Sequence, residues 1–316
     1  MRIAFLGTPT FAVSSLEALA REGFQIPAVF TQPDRPKGRG QQLSASPVKE
    51  AALRLGLTVR QPERIRRPEA IEALRALGLE AMVVVGYGQI IPQAMIDLVP
   101  LGIINVHASL LPKYRGAAPI QWAIANGETR TGVTTMRIDA GLDTGDMLLK
   151  SELAIGPEET APELSARLAE SGAQLLIETM RGLAAGTIKP EKQDHVQHTL
   201  APILKKDDGL IDWHQPASRI HARARGFQPW PGSYTLFRGQ TLHIWKCSIA
   251  DSSTPSVAPP GTMLLPDRKR LLVACGSGSA LEIQDVQIQG RNRVDAASFR
   301  NGQRIVDNEQ LGETTT

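Results

Sequence analysis

The sequence predicts an α/β protein in two parts, a parallel sheet covered by helices through about residue 185 and then a small all-β domain. Three observations carry this. Apolar strand-like runs alternate with helical patterns through the first part. One of those runs, Ala81-Met82-Val83-Val84-Val85, is apolar at every position, as suits a strand buried on both faces. Past residue 206 the pattern changes to short strand-like runs separated by Pro-Asp and Gly-Ser turn signals.

In order, residues 2–6 read as a strand and residues 11–21 as an amphipathic helix with Val13, Leu16 and Leu19 among its apolar positions. Residues 26–31 form a second strand, and the run at 81–85, then 103–107 and 133–138, supply three more. A long helix over 159–184, with Leu164, Leu168, Leu175 and Leu176 at helical spacing, closes the first domain (1–185). Residues 186–206 lose periodicity around Pro190 and Pro202 and read as a linker. In the second domain (207–316), a hairpin is expected from 234–237 and 242–245 across Arg238-Gly239-Gln240. Further strands are expected at 262–265, 271–274 and 281–288.

In open parallel sheets, ligands bind at the carboxyl ends of the strands. Gly7, Thr31, Gly86 and His107 all fall there, as does the loop after Ile138. Gly7-Thr8-Pro9-Thr10 lacks the second and third glycines of a dinucleotide fingerprint, which argues against a nicotinamide dehydrogenase.

Composition narrows the class further. The chain has 316 residues and a formal net charge of +3, ordinary for a soluble two-domain protein. Charge is uneven: residues 1–75 hold 12 Lys/Arg against 7 Asp/Glu, and residues 205–316 hold 14 against 11, with Arg219, Arg223 and Arg225 clustered. That pattern is compatible with a polyanion touched at a few places. Cys247 and Cys275 are the only cysteines and have no Cys-x-x-Cys spacing, so neither a disulfide framework nor a zinc site is expected, and a reducing cytoplasm fits. The opening strand stops at Gly7, too soon for a signal peptide, and no apolar run reaches membrane-spanning length.

The richest segment is Ile104-Asn105-Val106-His107-Ala108-Ser109-Leu110-Leu111-Pro112-Lys113-Tyr114-Arg115-Gly116-Ala117-Ala118-Pro119. Side chains two apart on a strand share a face, so the Asn105 amide and His107 imidazole project together from the strand's end. That pairs an oxyanion donor with a group that moves protons near neutral pH. Ser109 is close by, but no G-x-S-x-G elbow surrounds it, so a nucleophilic serine is not expected.

This run, together with Gly141-Leu142-Asp143-Thr144-Gly145-Asp146, resembles the signature of the formyltetrahydrofolate-dependent formyltransferases. Gly7-Thr8-Pro9, Thr31-Gln32-Pro33-Asp34-Arg35-Pro36 and Pro229-Trp230-Pro231-Gly232 are most similar to the branch acting on initiator methionyl-tRNA. The resemblance implies a Rossmann-like catalytic domain, an OB-like C-terminal barrel that binds tRNA, 10-formyltetrahydrofolate as co-substrate and no metal. It implies Asn105, His107 and Asp143 as catalytic groups, with the duties of His107 and Asp143 in proton transfer left open. It further implies folate contacts from Ser109, Leu110, Leu111 and Pro112 and from the backbone around Val84, Gly86 and Gly88. For tRNA, the Pro/Gly-rich loop with Arg35, Lys37 and Arg39 is the candidate, and charge and position add Lys206 and Arg223. A sugar-nucleotide formyltransferase is the nearest rival, and a non-catalytic RNA- or folate-binding protein on the same fold is another. We expect a cytoplasmic monomer.

Overall fold

The computed structural model describes residues 1–37, 42–251, 258–267 and 269–312. Two compact units emerge, and their boundaries do not follow the chain. The first comprises Met1–Pro119, Arg130–Ala154 and Ser165–Pro202; the second comprises Ile120–Thr129, Ile155–Leu164 and Ile203–Thr316. The first seventeen residues of the segment read as a linker, 186–202, thus belong to the first unit.

The first unit is built on a seven-stranded sheet. Strand β1 (Arg2–Gly7) leads through helix α1 (Val13–Arg21) to β2 (Gln25–Phe30). A short antiparallel pair, β3 (Arg35–Lys37) and β4 (Gln42–Ser44), precedes α2 (Pro47–Arg54), β5 (Val59–Arg60) and α3 (Pro68–Arg75). Then come β6 (Ala81–Val85), α4 (Gln93–Ile96), β7 (Ile103–His107), α5 (Pro119–Ala125), β8 (Arg130–Arg137), β9 (Met147–Ala154) and α6 (Ala161–Ala185). The sheet order is β5-β2-β1-β6-β7-β8-β9.

The five strands from β5 to β7 run parallel, as expected, and β8 and β9 add an antiparallel edge. Strand β6 is buried at every position, which explains its unbroken apolar sequence. By contrast β9 starts with buried Met147 and Leu148 and then alternates partly buried Leu149, Ser151 and Leu153 with exposed Lys150, Glu152 and Ala154, the signature of an edge strand wet on one side. The strand order reverses between β1 and β6, so the crevice at their carboxyl ends is the topological switch point. Helix α6 lies against β7 and β8 so closely that a Cβ on Gly172 would meet Val106 at 3.0 Å and Val133 at 3.3 Å.

The second unit is an antiparallel sheet with two helices of its own, and it also takes in nearly all of α5 and the first turn of α6. Helix α7 (Ala217–Gly226) leads to β10 (Ser233–Phe237), β11 (Gln240–Ile249), β12 (Met263–Leu264), β13 (Leu271–Ala274), β14 (Ala280–Ile288), β15 (Val294–Asp295) and α8 (Ala296–Gln303). The order β10-β11-β14-β13-β12 leaves its two ends unjoined by any ladder among the described residues, so the barrel is a half-barrel. The expected β10–β11 hairpin is present. Arg238 (φ 48°) and Gly239 (φ 74°) give it the doubly left-handed turn that matches strand twist.

The inner face of this sheet contributes Leu242, Ile244, Leu281, Ile283 and Val286 to one core with Ile220 of α7 and Phe299 of α8. Neither helix was expected. Arginines at 219, 223 and 225 mask the small buried stripe of Ala217, Ile220 and Ala224 in α7.

Candidate active site

Strand β7 ends at the switch-point crevice and delivers Asn105 and His107 from one face. Val84 on β6 pairs in register with Asn105, which sets that folate candidate beside the strand carrying the candidate amide. The hairpin between β8 and β9 brings Asp143 across. Asp143 takes a left-handed backbone, φ 50°, in the tight turn of residues 141–145. Two glycines make that turn possible, because a Cβ at Gly145 would sit 1.9 Å from the Arg137 carbonyl and one at Gly141 would strike Thr144.

The three side chains converge. Asn105 Nδ2 donates to Asp143 Oδ1 at 3.4 Å, and His107 Nδ1 lies 3.7 Å from Asp143 Oδ2. The Gly116 amide donates to the same Oδ2 at 2.8 Å. His107 Nε2 is 2.9 Å from the Tyr114 carbonyl. A carbonyl only accepts, so Nε2 carries a hydrogen and Nδ1 is the ring atom left to take or give a proton. Both His107 and Asp143 are largely buried, which strengthens every electrostatic contact between them.

The loop after β7 is folded by its own polar groups. Ser109 Oγ donates to the Lys113 carbonyl at 2.6 Å, and Thr134 Oγ1 bridges the Ser109 carbonyl and the Leu111 amide. Leu111 is buried in a cluster with Met136 and Met147, so its side chain belongs to the core. Leu110 packs over Gly132, where a Cβ would meet it at 2.5 Å. Of the four residues named for folate in this loop, Leu110 and Pro112 keep partial exposure. Gly86 (φ 56°) and Gly88 (φ 81°) turn the chain after β6 and leave exposed backbone without side chains.

Two groups in the site carry no motif signal of their own, the Gly116 amide and Gln193. Gly116 sits in the Arg-Gly-Ala stretch, yet nothing in a sequence shows that its N–H faces a carboxylate. Gln193 comes from the segment read as a linker. Its Nε2 donates to the carbonyls of Asp143 and Gly145, each at 2.8 Å, while Arg115 grips its Oε1.

The formyl transferase family model matches residues 1–180, and the formyl transferase C-terminal domain model matches residues 203–304. The chain belongs to the formyl transferase family. It is 66% identical over 313 residues to the methionyl-tRNA formyltransferase of Solibacter usitatus, spanning 99% of each chain. It is 54% identical over 317 residues to that of Koribacter versatilis, spanning 100% of each. An N-formyltransferase from Helicobacter canadensis, solved with folinic acid and dTDP-3-aminofucose, shares the fold with a TM-score of 0.65 at 19% identity over 89% of this chain and 98% of that one.

As a formyl transferase the protein is a one-carbon transferase that uses formyl-tetrahydrofolate. Among the described residues no group of three or more His, Cys, Asp or Glu is placed to hold a metal ion, and no helix is long and apolar enough to cross a membrane.

The residues expected to meet tRNA fare unequally. Arg35 and Lys206 are exposed. The side chain of Lys37 and the whole of Arg39 lie outside the described residues. Arg223 is half-buried and engaged internally: it donates to the Asp208 carbonyl at 2.7 Å and covers the Phe227 ring at 4.8 Å. Burial, with Arg219 nearby, lowers its pKa from the ordinary arginine value.

Proposed function

We propose that the protein moves the formyl group of 10-formyltetrahydrofolate onto the α-amino group of methionine carried by initiator methionyl-tRNA, the modification that prepares this tRNA for translation initiation. One observation carries the reading. A chain matching a methionyl-tRNA formyltransferase at 66% identity from end to end also gathers an amide, an imidazole and a carboxylate at one strand end.

The residues present fit a folate. Exposed backbone at Gly86 and Gly88 offers N–H and C=O groups to the edge of a pterin ring, and Leu110 and Pro112 offer apolar surface, while the Val84 side chain is buried in the core. The folate supplies an activated formyl carbon, and the remaining duties fall to the chain. In the transfer, the bond from that carbon to the donor nitrogen breaks and a bond to the methionine nitrogen forms. One proton passes from the incoming nitrogen to the departing one.

Asn105 has two amide hydrogens. One leans toward Asp143, and the other donates to the formyl oxygen as negative charge develops there. His107 exchanges a proton through Nδ1, since its Nε2 hydrogen is held by the Tyr114 carbonyl. Asp143 faces that nitrogen across 3.7 Å, orients the ring and accepts a hydrogen bond from the attacking amine. The attacking amine has an ordinary pKa of about 7.7–8.0, so roughly a tenth to a sixth of it is already neutral at pH 7 and alignment matters more than a strong base.

For the tRNA, Arg35 and Lys37 of β3, which the sequence presented as a loop, with Arg39 just beyond it in sequence and Lys206, are the phosphate contacts we assign. Their charge and the exposure of Arg35 and Lys206 support this. Arg223 serves chiefly to brace Asp208 and Phe227. We take the protein to act as a monomer in the cytoplasm, and light scattering on the purified chain measures the first of these. The assay for the function offers labelled formyl donor to methionyl-tRNA, free methionine and an amino-sugar nucleotide in parallel. Transfer confined to methionyl-tRNA is expected; transfer to the sugar nucleotide instead would place the protein with the sugar formyltransferases.

A further inference from the structure

We infer that Gln193 is a positioning residue for Asp143, and that Arg115 sets the orientation of Gln193. The inference rests on the catalytic reading of Asp143 given above. A glutamine amide offers two N–H donors and one carbonyl acceptor. In this protein all are used, the two donors on the turn that carries Asp143 and the acceptor on Arg115. Nε2 donates to the carbonyls of Asp143 and Gly145, 2.8 Å each. Oε1 accepts from both Nε (3.0 Å) and Nη2 (2.7 Å) of Arg115. Gln193 is 5% exposed and Arg115 4%, so neither group has water as an alternative partner.

The arrangement answers a specific difficulty. Asp143 must hold a left-handed backbone that costs a non-glycine residue conformational energy, and its carboxylate must stay between the Gly116 amide, Asn105 and His107. Hydrogen bonds from one rigid amide to the carbonyls on either side of Thr144 clamp that turn. The guanidinium, fixed on Oε1, decides which way the amide faces, because only an oxygen can sit against it. Arg115 is itself placed by the same segment: its amide donates to the Thr199 carbonyl, and its carbonyl accepts from the Ala201 amide. Residues 193–201 thus hold both the turn carrying Asp143 and the loop carrying Arg115 and Gly116.

Gln193→Leu removes the clamp, and Gln193→Glu keeps the size and the Arg115 pairing while losing both donors. With saturating methionyl-tRNA and formyl donor, we expect kcat to fall roughly 10- to 100-fold in each, with both KM values within about threefold, as for a residue that acts only on transition-state geometry. Gln197→Leu, on the same segment but hydrogen-bonded only to exposed Asp194, should match the parent.

The decisive readout is the cycle with Asp143→Asn. If Gln193 works through Asp143, adding Gln193→Glu to Asp143→Asn costs less than about threefold more, whereas a general structural role would multiply the two losses. Additive losses, a change in KM alone, or a Gln193→Glu variant with parental kcat would each overturn the inference. Should Gln193→Leu fail to fold, Gln193→Glu carries the test alone. Full activity of Asp143→Asn is a separate failure: it would remove the catalytic reading of that residue, and the role of Gln193 with it.

Discussion

Among the described residues two buried histidines face a carboxylate, and the pair with the longer contact is the one to which we assign the chemistry. His221 Nε2 lies 3.2 Å from Glu158, against 3.7 Å for His107 and Asp143. What separates them is how the carboxylate is held. Glu158 is 68% exposed and extends from the surface, whereas Asp143 is 17% exposed and fixed by Gly116, Asn105 and the clamped turn around it. A solvated carboxylate at the end of a flexible side chain loses most of its Coulomb attraction to water. A framework-held one keeps its field where a reaction can use it. Short distance marks an ion pair, and preorganisation marks a site.

The comparison breaks most directly by neutralising each carboxylate. Asp143→Asn should lower kcat by about 100-fold or more, in the range of a lost proton-transfer partner. Glu158→Gln should stay within about twofold, because it removes only an exposed partner. Equal losses in steady-state assays of the two variants would erase the distinction.

A smaller effect is expected at the substrate loop. Replacing Arg35 and Lys37 with alanine should raise KM for methionyl-tRNA, leave KM for the formyl donor unchanged, and flatten the log-log salt dependence by about one unit per lost phosphate contact. Loss confined to folate binding would reassign the loop.

The smallest effect concerns acid stability and sharpens the contrast from the His221 side. Burial, with Arg225 nearby, pulls the His221 pKa below its ordinary 6.5 despite Glu158, and burial with Lys206 does the same to His243. The unfolded chain therefore binds more protons than the folded one in this range. The associated stability is fully present above pH 6.5 and is lost as pH falls through the folded-state values. Melting temperature measured from pH 7.5 to 5 should decline, and His221→Gln should decline less steeply. A steeper decline in the variant would reverse the assigned sign.

Much of this was legible in the residues. Strands β1, β2, β6 and β7 announce themselves because parallel strands covered on both faces require near-continuous apolar sequence. The Asn105-x-His107 spacing fixes a shared face by strand geometry alone. Other features leave no such trace. Strand β9 breaks its apolar run with Lys150 and Glu152, and β8 runs antiparallel to β7, an orientation no local pattern encodes. Helix α7 buries alanines behind arginines, so its charge was read where its packing should have been. Gln193 is one uncharged polar residue in a polar stretch. Its importance lies in two carbonyls contributed some fifty residues earlier, a relation only the folded chain displays.

The central claim is that Asn105 stabilises the developing oxyanion beside the His107–Asp143 pair. It is tested by the single-turnover rate of Asn105→Ala with methionyl-tRNA and 10-formyltetrahydrofolate both saturating. A fall of roughly 100- to 1000-fold with substrate affinities retained is the predicted result. A folded Asn105→Ala enzyme that transfers formyl within about twofold of the parent rate would contradict it, since a lost oxyanion donor should cost far more.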